Sequence, residues 1–188
     1  MTTHESTIRI DPGLLRWEWW GALACVIAGS VPHFAYAWSG ASPVVGLFTP
    51  VNESVWEHLK LGLWPLGVLS VIELLTVARG RRRFLLPKLA GIVAMMLFIV
   101  LFYYGYSAIL GTHLLALDIG SFVACVALCQ AVSLAIMRAG GESSAGNALG
   151  AAGLVALAAL FMIFTFAPPR SELFSDPPSG THGAGQTP

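Results

Sequence analysis

The sequence predicts an all-α membrane protein, a bundle of five transmembrane helices, and three observations predict it. Of 188 residues, 56% are hydrophobic and only 11% are charged, against about 25% charged in soluble domains; the mean hydropathy is +0.73. Five segments reach the roughly 20 apolar residues that cross a bilayer as a helix. Arginine is concentrated in one loop, the asymmetry expected of a multi-pass topology. The net charge is zero and no basic patch exists outside that loop, so the lipid bilayer is the expected partner and nucleic acid is not.

The first span covers 18–38 and is bracketed by Trp17, Trp19, Trp20 and Trp38, an interfacial aromatic belt. Residues 1–17 precede it. The second span, 59–78, has Trp56 and Trp64 at one end. The third, 87–109, is rich in Met95, Met96, Phe98 and Phe102. The fourth covers 113–137. The fifth, 147–167, is almost pure Ala, Gly, Leu and Phe, and its Ala148, Ala152, Ala156 ladder reads as small-residue helix packing. Residues 168–188 are rich in Pro, Gly and Ser and read as a loosely ordered tail, with Leu173-Phe174 available to dock on the bundle.

Orientation follows from Arg79, Arg81, Arg82 and Arg83 between spans two and three, with Lys88 just beyond. The positive-inside rule makes that loop cytoplasmic. Arg9, Arg16 and Arg138 then also fall inside, which gives a cytoplasmic N-terminus and an extracytoplasmic C-terminus in the cytoplasmic (inner) membrane. Arg9 and Arg16, the apolar stretch 21–31 and Ala35-Tyr36-Ala37 loosely imitate a cleavable signal peptide. Cleavage would leave four spans and remove His33. The long acidic segment ahead of the apolar stretch favours a retained span.

Residues 50–60, Pro50-Val51-Asn52-Glu53-Ser54-Val55-Trp56-Glu57-His58-Leu59-Lys60, form the polar centre of the chain. Ionisable groups in a membrane protein are costly and usually have a role. Thr49-Pro50 reads as N-cap and first helical residue, with Asn52 as the other candidate cap. Glu53 and Glu57 would then share one helix face, and Ser54 and His58 an adjacent one. The topology brings His33, Tyr36, Tyr104, His113 and Asp118 to the same side as this segment. Pro32 and Pro65 interrupt the ladders of spans one and two. Asp118, Phe122, Cys125, Cys129 and Ser133 follow helical spacing and form a stripe toward the bundle interior. Lys60 reads as a snorkelling anchor, His113 as an interfacial residue, and Cys25, Cys125 and Cys129 as reduced core residues. Glu73 is placed about 20 Å from the polar segment by helical rise, close enough to pair with the Arg loop.

The strings His33-Phe34-x-Tyr36-x-Trp38-Ser39-Gly40 and Phe48-x-Pro50-Val51-Asn52-Glu53-Ser54-x-Trp56-Glu57-His58-Leu59-Lys60 resemble a family of small bacterial multi-pass membrane proteins of unknown function. Phe164-Thr165-Phe166-x-Pro168-Pro169 and Leu173-Phe174-x-Asp176-Pro177 are similar to the same family. The resemblance implies a membrane protein in which the Asn-Glu-Ser-x-Trp-Glu-His string acts as a unit. It implies no activity.

Three function classes fit these residues. In a metal-dependent hydrolase, His33, His58 and Asp118 would bind zinc or a similar divalent ion. Glu57 or Glu53 would serve as general base and Tyr36 or Tyr104 as donor to an oxyanion, acting on a lipid or lipid-linked substrate. In an ion- or proton-linked carrier, Asp118, Glu57 and the polar stripe would line a path, and a homodimer would supply the missing bulk. In a non-catalytic assembly protein, Asn52, Ser54 and their neighbours would form a structural polar lock.

Overall fold

The computed structural model describes residues 11–140, 145–177 and 179–184; Arg9 and the last four residues of the tail lie outside them. The described chain is all-α, with five helices long and apolar enough to cross a membrane. Among the described residues the β-structure is limited to one bridge between Ser175 and His182.

α1 (Pro12–Ser30) starts where Asp11 accepts a hydrogen bond from the Gly13 amide and Pro12 fills a first-turn position. Pro32 cannot donate to the preceding ladder, so a second helix, α2 (Pro32–Trp38), begins there with His33 in its first turn. A short turn of helix, α3 (Pro43–Gly46), leads to the polar segment. α4 (Val55–His58) runs directly into α5 (Lys60–Leu75). α6 (Leu85–Leu110) ends at Gly111, whose φ of 69° permits the left-handed cap. α7 (Leu115–Arg138) and α8 (Gly146–Phe166) complete the bundle.

α6 packs along α7 and α8, while α1 lies against α5 and α7. Leu63, Leu66, Ile92, Met95, Val126 and Phe161 fill the core, together with all three cysteines, which are buried and unpaired. Cys125, Cys129 and Ser133 do face the interior. Leu97, Leu101, Ile109 and Val155 stand exposed around the outside. Large apolar side chains on that scale suit hydrocarbon better than water.

Two close approaches depend on missing side chains. Pro65 deprives the Leu61 carbonyl of its helical donor, and α1 meets that carbonyl at Gly29, where a Cβ would lie only 2.7 Å from the oxygen. On α8 a Cβ at Gly150 would lie 2.3 Å from the Leu85–Leu86 backbone. Small-residue packing of the last helix therefore runs through Gly146, Gly150 and Gly153. The expected ladder of Ala148, Ala152 and Ala156 is exposed instead, because glycine alone lets the two backbones come this close.

Candidate metal centre

The polar segment folds as a set of nested caps. Asn52 Oδ1 accepts from the Ser54 amide at 3.0 Å, and Ser54 Oγ accepts from the Glu57 amide at 3.3 Å. Ser54 is thus the N-cap of α4, not Thr49 or Asn52. Ser54 Oγ caps the Glu57 amide while the Asn52 side chain takes the Ser54 amide, so the helix begins at Val55 and not at Pro50. One consequence is that Glu53 and Glu57 do not share a helix face. Glu53 precedes the helix and is exposed; Glu57 lies within it and is buried.

His33, Glu53 and His58 converge. Each offers one ligand atom within 4.8 Å of the others. His33 Nε2 is 3.7 Å from Glu53 Oε1, and His58 Nε2 is 3.4 Å from Glu53 Oε2. The two imidazole rings lie 5.2 Å apart. Ser54 controls the second ring as well: its carbonyl lies 2.9 Å from His58 Nδ1. With the Nδ1 proton donated there, Nε2 is the nitrogen turned toward Glu53. In the metal-free, protonated state His58 can donate to Glu53 through Nε2; a bound cation would take the place of that proton. The hydrogen bond from His58 holds the Glu53 carboxyl below its usual range, and the charges of His58 and His33 act in the same direction against partial burial.

The tail fixes Glu53 from the other side. Its backbone amide donates to Asp176 Oδ1 at 3.0 Å. Asp176 is itself held by Ser179 Oγ and by its own amide, which donates to the Thr181 carbonyl. Trp56 stacks on Phe161 of α8 at 4.1 Å and touches Phe174 of the tail at 4.7 Å. Phe174, in the short 3₁₀ turn Glu172–Phe174, is buried. The Leu173-Phe174 pair therefore contributes its aromatic member to the bundle.

Behind the cluster lies a buried ion pair. Lys60 Nζ donates to Glu57 Oε2 at 2.6 Å, Thr165 Oγ1 at 2.7 Å and the Gly46 carbonyl at 2.8 Å; the Thr49 carbonyl is 3.3 Å away. Lys60 is completely buried. It is not the snorkelling anchor its position suggests, because Glu57 lies one turn before it and the folded-back loop supplies carbonyls. Glu57 Oε2 also accepts from the Val51 amide. Glu57 Oε1 and Asn52 Nδ2 are buried without a protein partner among the described residues.

The remaining expected site residues fall elsewhere. Asp118 accepts a hydrogen bond from Tyr106 and lies 3.7 Å from His113 Nδ1, outside the His33–Glu53–His58 group. Tyr106 also receives the Leu114 amide, so these residues pin the α6–α7 turn. Tyr104 packs on Tyr103. Tyr36 sits one turn from His33 on α2, with its ring against Gly46. Thr165 and Asp176, which complete the support of the segment, carried no such assignment. Their sequence signal lay in the tail strings that carry the family resemblance, and Thr165 is the one hydroxyl residue of α8.

No curated protein and no solved structure matches this chain. Residues 9–184 match the family of unknown function DUF6512, and the chain belongs to that family.

Proposed function

We propose that this protein is a multi-pass membrane protein carrying a divalent metal, zinc or a similar ion, on His33, Glu53 and His58. The observation that supports it best is the pairing of geometry and second shell. Two imidazoles and one carboxylate face each other, and a backbone carbonyl sets the orientation of one imidazole, as partners of metal-bound histidines do. Glu53 takes the ligand place given to Asp118 on sequence grounds. Three protein ligands leave a fourth position for water, the arrangement of catalytic zinc sites. A metal there lowers the pKa of the water toward neutrality. By the positive-inside rule the site faces the extracytoplasmic side of the inner membrane. Its chemistry suits hydrolysis of a lipid or lipid-linked head group that reaches the site along the bilayer. Tyr36 is the candidate donor to the developing oxyanion. Glu57 is committed to Lys60 and serves as a positioning residue.

A second reading rests on Lys60. Its four acceptors tie α4, α8 and the loop together, which is what a structural lock without chemistry requires. Calorimetric titration of chelator-stripped, detergent-purified protein with zinc separates the two. The metal reading expects saturable binding at one site, absent in His58→Ala. A well-folded wild-type protein that binds no zinc leaves only the lock.

A further inference from the structure

The bundle holds a second charged centre, far from the histidine cluster and independent of it. Lys88 of α6 lies between two carboxylates, with Nζ 2.5 Å from Glu18 Oε2 of α1 and 2.7 Å from Glu73 Oε2 of α5. Gln130 of α7 completes the shell: its Oε1 lies 3.4 Å from Nζ, and its Nε2 donates to the Glu18 carbonyl at 3.1 Å. Glu18, Glu73 and Gln130 are fully buried and Lys88 is 2% exposed. The expected role of Glu73 is thereby corrected. Glu73 pairs with Lys88 rather than with the Arg loop, and Lys88 turns into the bundle. Each is close to the end of its helix yet faces the interior, where the opposite charge is the better partner.

The charges do not balance. Two carboxylates and one ammonium leave one negative charge in a buried site, and an uncompensated buried charge is strongly unfavourable. Hydrogen bonding is incomplete as well. Glu18 Oε1 and both oxygens of Glu73 receive no directed hydrogen bond among the described residues. The hydroxyl of Ser133, also buried and without a partner, sits one turn from Gln130 on the same face of α7. Among the described residues the other titratable groups facing the trio are the thiols Cys25 of α1 and Cys129 of α7, which add no positive charge. α8 carries none.

We infer that Glu18, Glu73 and Lys88 form a membrane-embedded proton-binding site, in which the two carboxyl groups together hold one proton at neutral pH. An O–H bond on either carboxyl neutralises the trio. Glu73 is the better-placed carrier, because Glu18 receives the directed hydrogen bond from Lys88. A charged residue inside a span is by default functional, and this site gives the protein a place to bind a proton at the membrane end opposite the histidines.

Infrared spectroscopy of the detergent-purified protein reads this directly. Wild type should show the C=O stretch of a protonated carboxyl, shifted down in heavy water. That band should disappear in both Glu18→Gln and Glu73→Gln, because either substitution leaves a neutral pair with Lys88. Both single variants should also accumulate as wild type does, whereas the double variant, which strands Lys88 alone, should not. Absence of the band in wild type overturns the proposal, as does its persistence in either single variant. So does a wild-type stability that rises with sodium or potassium, since a bound metal cation would then balance the charge. If a single variant fails to fold, the wild-type band and the salt dependence still decide.

Discussion

Lys60 Nζ and Thr165 Oγ1 are 2.7 Å apart and 105 positions apart in sequence. That hydrogen bond joins the polar segment to the last helix. The same end of α8 also accepts the Ala184 amide at the Thr165 carbonyl, so one residue serves both the buried lysine and the tail. The histidine cluster stands on this support: α4 carries His58, and the tail holds the backbone of Glu53.

Lys60→Met should therefore be severe. It removes the partner of a buried carboxylate, which costs about 3–5 kcal/mol in comparable pairs. Thermal unfolding in detergent measures the loss. Adding Glu57→Gln to the same chain should recover part of it, because the stranded charge is gone. A Lys60→Met protein as stable as wild type would contradict this account of the pair.

Trp56→Ala should cost about 3–5 kcal/mol, the range for large aromatic truncations, and should also release the tail. Trp56 is the shared surface of Phe161 and Phe174. Limited proteolysis after Pro168 should be faster in Trp56→Ala than in wild type, and Asp176→Ala should show the same acceleration through loss of the Glu53 amide contact. Unchanged cleavage in both variants would mean the tail is held in some other way.

Gly150→Ala and Ala152→Leu form a matched test of the last helix. The first inserts a methyl against the Leu85–Leu86 backbone, an overpacking that costs about 1–3 kcal/mol. The second adds bulk at an exposed position and should be tolerated. Relative abundance in the membrane reads both, and the reverse order would place the helix contact on the alanine face.

The depressed carboxyl of Glu53 sets a pH dependence. Its folded pKa lies below its unfolded one because His58 hydrogen-bonds the ionised form. As pH falls the unfolded state takes the proton first, so stability falls with it. The contribution is complete above the ordinary glutamate range and is lost as pH drops through the depressed folded value. Glu53→Gln should lack this acid limb, which a series of unfolding curves at decreasing pH would show. Superimposable curves for the two proteins would contradict the pairing.

The helical architecture was legible because length and composition alone mark the segments long and apolar enough to cross a membrane. The five helices fall where the apolar segments are, and the cysteines are buried as their setting suggests. The His33–His58 convergence also followed from topology. What the sequence concealed was which polar group answers which. Glu18 stands among tryptophans and resembles an interfacial residue, yet it faces Lys88 from a helix 70 positions away. Lys60 looked like an anchor because nothing in its neighbourhood shows that a loop folds back onto it. The α4 cap was missed by a few residues because Thr49, Asn52 and Ser54 are all competent caps, and the choice depends on where the Val51 amide finds Glu57. Partner choice of this kind is tertiary, and only the folded chain reveals it.

Elemental mass spectrometry of the purified protein gives the metal content of wild type, His33→Ala and His58→Ala. Wild type should carry about one equivalent of a transition metal, as a single three-ligand site requires, and both variants should lose it with the unfolding profile otherwise retained. A well-folded wild type without metal, or variants that keep it, would contradict the account.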